Sequence, residues 1–231
     1  YRILKVADLG ESAVDDLIGH LIAESKNPTV GVLAHPGQVD VRIAALAENI
    51  EQANKLIDNV DGQIRKLLDD NIFAVDEETI ESVIGNLLSE LNATVATCED
   101  LSGGSVATAV RDAAGPWFLE SSIVNSSKSL DKITRKGGET PPFANGADKA
   151  AALARAIKRT AGATYGIAVH GVEEGEQRSE NLGKGETYIV VSGPFGEKSR
   201  HVRSAGRGDP DRKRAAMGAM SLLRRELLQL D

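Results

Sequence analysis

The chain holds a single cysteine, Cys98, which removes any disulfide framework and any cysteine-based zinc site. Aromatic residues make up 3% of the 231 residues, so there are few rings on which nucleic-acid bases would stack. No apolar run approaches the ~20 residues that cross a bilayer, and no signal-peptide pattern is visible. The four histidines, His20, His35, His170 and His201, are scattered without metal-ligand spacing. Excess positive charge is lacking too: the formal net charge is −7, which opposes non-specific attachment to nucleic-acid phosphates. These absences lead to the expectation of a cytoplasmic protein without metal or cofactor, with no membrane partner and no nucleic-acid partner.

What is present is 41% hydrophobic residues, enough for a core, and with so few aromatics that core is built from Ala, Val, Ile and Leu. The length fits two ordinary domains. Charge is uneven, because Arg200, Arg203, Arg207, Arg212, Lys213, Arg214, Arg224 and Arg225 crowd the last stretch. That stretch reads either as a local surface for a small phosphorylated ligand or as a solvated helix with cations toward its C-terminal end. Tyr1 opens directly on a strand-like run, as expected of a piece of a longer polypeptide.

Periodicity sets the organisation. Strands are predicted over residues 2–6, 29–34, 39–45 and 71–75, with helices over 11–22 and 49–68. In the longer helix Ile50, Leu56, Ile57, Val60, Ile64, Leu67 and Leu68 form the apolar side. This βαββαβ order makes a split sheet with two helices on one face. KH-like RNA-binding modules share the order, but their basic Gly-x-x-Gly loop is missing, so the unit reads as a spacer or dimerisation element. A helix starting at Asp76 and reaching about Asn92 opens a second unit, placing the boundary at residues 76/77. There follow a strand from Val95, a turn, a helix over 105–114 and a strand over 122–125. A polar loop covers 126–145, then a helix 148–161 and a strand 165–170. A charged loop over 173–186 leads to strands 187–192 and 198–204. The closing helix, 210–228, carries Asp209 as its cap. The fold class is α/β (α+β): a βαββαβ unit over 1–76, then a three-layer α/β unit over 77–231.

Chemistry concentrates first in Glu99-Asp100-Leu101-Ser102-Gly103-Gly104, between an apolar strand and an Ala/Val-rich helix. A glycine turn onto a helix N-terminus offers free N–H groups and the positive end of the dipole, so Ser102, Gly103 and Gly104 form a candidate anion cradle. The serine-rich run Ser121 to Lys128 is second: if it stays extended, Ser126 and Lys128 share a face, and a lysine can serve as base for a serine nucleophile. The bland alternative is a polar strand end with a solvated lysine. His170-Gly171 closes a buried-looking strand, where α/β ligands collect; His170 is either a base or a structural histidine. Arg214, in the last helix, is either a phosphate clamp or surface charge beside Arg212 and Lys213.

The run Asn27-Pro28-Thr29-Val30-Gly31-Val32-Leu33-Ala34-His35-Pro36-Gly37, with Gly10-Glu11-Ser12 before it and Val41-Arg42 after it, resembles the KH-like middle domain of the competence/damage-inducible protein A (CinA) family. The second unit resembles that family's C-terminal nicotinamide mononucleotide (NMN) amidase domain, which converts the NMN carboxamide to nicotinate mononucleotide and ammonia. The family's N-terminal molybdopterin-binding-like domain would lie upstream of Tyr1. Against the family motif Glu-Ser-Cys-Thr-Gly-Gly this chain has Glu99 to Gly104, with Asp100 at the family serine. The family's Gly-Ser-Ser is Gly115-Pro116-Trp117 here, and its Thr-Tyr-Ser-Asn with a nearby lysine becomes Asn125-Ser126-Ser127-Lys128 with the lysine out of register. Gly171-Val172-Glu173-Glu174-Gly175 replaces Gly-Ile-Ala-Gly-Pro, and Arg214 matches the arginine of the family's last helix. A carboxylate ~4 Å from a bound phosphate costs on the order of 1 kcal/mol in water and about 4 at an effective dielectric near 20, so Asp100, Glu173 and Glu174 disfavour the family ligand.

The resemblance therefore implies an amidase-like domain with degenerate motifs, retained for assembly as a homodimer or for binding a small phosphorylated nucleotide through Ser102, Gly103, Gly104, Asn125, Gly171 and Arg214. The alternative is a working NMN deamidase with a relocated Ser126/Lys128 pair. A nucleic-acid module on the KH-like unit is the third reading, disfavoured by the charge.

Overall fold

The computed structural model describes residues 1–124, 126–173, 185–203 and 208–230. Two compact units emerge, Tyr1–Ile80 and Glu81–Asp231.

In the first unit β1 (Arg2–Ala7), β2 (Thr29–His35), β3 (Gln38–Ala44) and β4 (Ile72–Val75) form one sheet in the order β2-β3-β1-β4. Every pairing in it is antiparallel. Two helices, α1 (Glu11–Glu24) and α2 (Ile50–Leu68), supply its core partners. Asn49 caps α2, its side chain accepting from the Gln52 N–H at 2.9 Å. From there Ile57, Val60, Ile64 and Leu68 recur at helical spacing and are buried against Leu4, Val6, Val41 and Ile43. Ile50, expected on the apolar side, is 80% exposed, because it sits in the first turn beyond the reach of the sheet. Asp61 is buried on α2 and held by Arg2 at 3.1 Å and Arg65 at 3.0 Å.

The second unit contains α3 (Ile80–Glu90), β5 (Val95–Glu99), α4 (Ser105–Ala114), β6 (Phe118–Ile123), α5 (Ser127–Lys136), α6 (Gly146–Ala161), β7 (Tyr165–Glu173), β8 (Gly185–Gly193), β9 (Gly196–Val202) and α7 (Asp209–Leu227). Its five-stranded sheet runs β6-β5-β7-β8-β9, with β5 parallel to β6 and β7 and the remaining pairs antiparallel. Strand alternation sorts the two faces. Ala96, Cys98, Ala168 and Val190 pack under α5 and α6 through Leu130, Leu153, Ala154 and Ile157. On the other face Gly218 of α7 lies against Ile189. These are the three layers expected from the sequence.

Helix α6 sits unusually close to the sheet, since a Cβ on Gly166 would lie 2.1 Å from the Ala154 carbonyl oxygen. The connection into α6 is held by Glu139, which accepts from Arg155 at 2.8 Å and from Arg159, while Arg155 also reaches Glu197 at 2.9 Å. The hydrogen bond from Arg155 leads the causes that hold the Glu139 carboxyl below its usual range. Among the described residues no helix is long and apolar enough to cross a membrane.

Four local expectations are corrected. The expected polar loop over 126–145 contains α5, a helix with few buried positions (Leu130 and Thr134), whose apolar residues Leu130 and Ile133 stand among polar and charged ones, so its composition reads as loop. The helix expected from Asp76 begins at Ile80, because Asp76 has φ 53° and the Glu78 side chain accepts from the Val75 N–H at 3.1 Å, making a turn first. Asp209 is the first residue of α7 rather than its cap; Gly208 holds the cap position and makes no side-chain cap bond. Of the predicted strand at 122–125, Ser122 and Ile123 form the far end of β6, which starts at Phe118, and residue 125 lies outside the described residues.

Ile64→Ala, at a fully buried α2 position, should cost about 2–5 kcal/mol, measured as a lower urea midpoint by circular dichroism. Because Glu139 has a lowered pKa in the folded state, its contribution is present above the unfolded-state value and lost as pH falls through the folded one. Glu139→Gln should therefore lower the melting temperature at pH 7, with the gap to the parent protein closing on acidification through the carboxylate range.

Candidate functional site

The site forms where parallel strands β5 and β7 end, the place at which open α/β sheets collect ligands. At the close of β5 the alternation turns Glu99 and Asp100 to opposite sides. Glu99 is fully buried. One carboxylate oxygen accepts from Ser102 Oγ at 2.7 Å and the Val106 N–H at 3.2 Å, and the other accepts from the Ala107 N–H at 2.8 Å. The N-terminus of α4 thus binds an anion, but the anion is the chain's own carboxylate. Ser102 is 1% exposed and its hydroxyl donates to Glu99. Gly103 (φ 64°) and Gly104 (φ 91°) supply the left-handed turn, and a Cβ on Gly104 would stand 2.6 Å from Ile123 Cδ1. In this geometry the three turn residues build the strand-to-helix junction.

Asp100 points toward β7. Its Oδ2 accepts from His170 Nδ1 at 2.6 Å, and its Oδ1 accepts from the N–H groups of Gly171 at 2.9 Å and Leu101 at 2.5 Å. Both side chains of the pair are 9% exposed. With Nδ1–H engaged by a carboxylate, the imidazole is held in one tautomer and orientation, and Nε2 has no partner among the described residues. Gly171 donates its N–H to this pair and leaves room for Leu101, whose Cδ1 would be 1.9 Å from an added Cβ.

His170 lines a cavity of about 470 Å³. Ser127, Asp131 and Arg135 of α5, the segment from Pro141 to Phe143, and Asn145, Gly146 and Lys149 at the start of α6 complete it with Val172. Lys149 is 14% exposed; its Nζ donates to Ser127 Oγ at 3.0 Å and pairs with Asp131 at 3.1 Å. Asn145 caps α6 by accepting from the Asp148 N–H at 2.9 Å, which sets Lys149 one turn inside the helix.

The cavity does not unite the residues singled out in the sequence. Ser126 is the N-cap of α5, accepting from the Ser129 N–H at 3.2 Å, and Lys128 stands exposed in the first turn of that helix. The strand face they were expected to share does not exist, because the chain turns helical at Ser127. Arg214 is half-exposed on α7 and pairs with Asp211 at 2.8 Å. Asn125, Glu174 and Gly175 lie outside the described residues, and Glu173 is described only as backbone at the end of β7. Lys149 was missed, although a signal exists: it stands in phase with the buried Leu153 and Ala156, a cation on an apolar helix stripe.

Cys98, beneath this site, is buried, and burial foremost, with Asp100 and Glu99 adding to it, pushes its thiol up to about 12. The native protein should resist iodoacetamide at pH 8 and take up one equivalent only when denatured, as read by mass spectrometry.

Comparison with known proteins agrees with this architecture. Residues 1–74 match the family described as "Damage-inducible protein CinA KH domain", and residues 77–227 match the "CinA C-terminal domain". A "CinA-like protein" of Kosmotoga olearia is 32% identical over 237 residues, covering 99% of this chain and 57% of that protein. A "Putative competence-damage inducible protein" of Desulforamulus reducens is 32% identical over 209 residues, covering 89% of this chain and 50% of that one. The chain thus spans about half the length of the curated relatives it matches. Among solved structures, the competence or damage-inducible protein from Enterobacter asburiae superposes with TM-score 0.54 at 17% identity, covering 65% of this chain and 99% of that one, a likeness of fold. With both of its units matched in order, the chain belongs to the CinA family.

Proposed function

We propose that this CinA-family protein keeps the amidase-like fold in its C-terminal unit without the family's NMN deamidation, and that the unit is retained to hold a small anionic ligand, of the size of a phosphorylated nucleotide, in the cavity beside His170. A cytoplasmic homodimer without metal or cofactor completes the reading. One observation carries it: the polar side chains of the motif turn are engaged within the chain. Glu99 takes the α4 amides and the Ser102 hydroxyl, while Asp100, at the place of the family serine, takes His170, Gly171 and Leu101. The Gly115–Trp117 segment offers no hydroxyl in place of the family's Gly-Ser-Ser. A carboxylate fixed where the family has a serine accepts hydrogen bonds and offers no hydroxyl to a substrate.

The second reading, an active deamidase with a relocated serine–lysine pair, is favoured by the Lys149–Ser127 hydrogen bond, a pair different from the Ser126/Lys128 pair expected. Against it stands Asp131: an ammonium in a salt bridge donates to the serine oxygen and does not take its proton. Purified protein incubated with NMN should release no ammonia above the protein-free control. Ammonia release that disappears in both Ser127→Ala and Lys149→Ala would establish the second reading in place of the first.

A further inference from the structure

The Asp100–His170 pair belongs to neither reading of the family reaction, yet it has the build of an oriented base. The carboxylate is immobilised by two backbone N–H groups, the ring is held through Nδ1, and the residue lines the cavity. Opposite charges for a substrate are available in the same space. Lys149 has three N–H donors, of which Ser127 and Asp131 take two, so among the described residues one remains. Arg135 lines the cavity as well, and its guanidinium has no partner among the described residues.

Resting on the reading that this cavity holds an anionic ligand, we propose that it is also a hydrolytic site in which His170 activates water against the ester of a small acid bearing a second negative charge. Arg135 pairs with that charge. His170 Nε2 takes a proton from water as the water oxygen bonds to the ester carbonyl carbon, and the carbonyl electron pair moves onto oxygen beside the remaining Lys149 N–H. Collapse of the tetrahedral adduct restores the C=O bond and breaks the bond to the alkoxy oxygen, which leaves with the proton from His170. One ester and one water give one acid and one alcohol. An ester suits this machinery because an alkoxide departs more readily than an amide nitrogen, so no covalently activated nucleophile is needed. Asp100 and Ser127 act through their neighbours, as positioning residues for His170 and Lys149.

The test uses the full chain with 4-nitrophenyl hemisuccinate and 4-nitrophenyl acetate, and with succinate alone as a binding probe in calorimetry. The hemisuccinate should turn over faster than the acetate, and His170→Asn should lose about 10²–10⁴-fold in kcat. Asp100→Asn keeps a carbonyl for the backbone N–H groups but presents an amide donor to His170. It should lower kcat and change its pH profile while the circular dichroism spectrum and melting temperature stay near the parent's, an outcome a merely structural role would not produce. Arg135→Gln should raise KM for the hemisuccinate by a larger factor than for the acetate, narrowing the preference between the two esters. Succinate binding with no dependence of hydrolysis on His170 overturns the hydrolytic proposal and leaves the ligand site standing. A succinyl group found on Ser127 by mass spectrometry overturns the water route. Absence of succinate binding together with absence of hydrolysis overturns both the proposal and the ligand reading beneath it.

Discussion

A buried carboxylate organises the second unit. Glu99 has no exposed surface, and an ion in that position costs several kcal/mol unless its oxygens meet donors. The start of α4 meets the requirement with the Val106 and Ala107 N–H groups, and Ser102 adds its hydroxyl. This contact ties the end of β5 to the first turn of α4, and the left-handed Gly103 and Gly104 make the reversal that it demands. Since successive strand residues face opposite sides, anchoring Glu99 toward α4 sends Asp100 the other way, onto His170. The arrangement of the candidate site thus follows from where one negative charge was buried.

Scarcity of large side chains shapes the rest. With α6 pressed onto the sheet through Ala154 at Gly166, and onto the end of α5 through Ala156 at Gly137, close backbone approach replaces bulky packing. Such a layer has little slack. Charged contacts then hold what the small core does not reach: Glu139 clamps the connection into α6 through Arg155 and Arg159, and Lys149 joins α6 to α5 through Asp131 and Ser127. The cavity is walled by α5, the start of α6 with the segment before it, and the end of β7, elements that have no reason to be neighbours until the sheet has formed.

Much of the fold was legible because its signals are local. The α2 stripe of Ile57, Val60, Ile64 and Leu68 declares a helix, and the runs of β5 and β7 declare strands covered on both sides. Helix α5 escaped because it buries little beyond Leu130 and Thr134, and its Ser126 cap reads equally well as loop polarity. The site was legible in part. Glu99 to Gly104 and His170 could be named from the sequence, but their roles were not readable there. A Ser-Gly-Gly turn before a helix looks the same whether its amides await a ligand or already hold Glu99.

By itself the sequence determined the fold class, the family, the glycine turn and the presence of a histidine at a strand end. Each of these depends on residues close together in the chain, through periodicity, turn stereochemistry or motif order. Tertiary structure alone decided which polar groups meet: Asp100 with His170, seventy positions away, and Lys149 with Ser127 across two helices. Those pairings arise because β5 and β7 are adjacent in the sheet and α6 lies across α5. Hydrogen bonds act over about 3 Å, and only the folded chain brings such distant residues within that range.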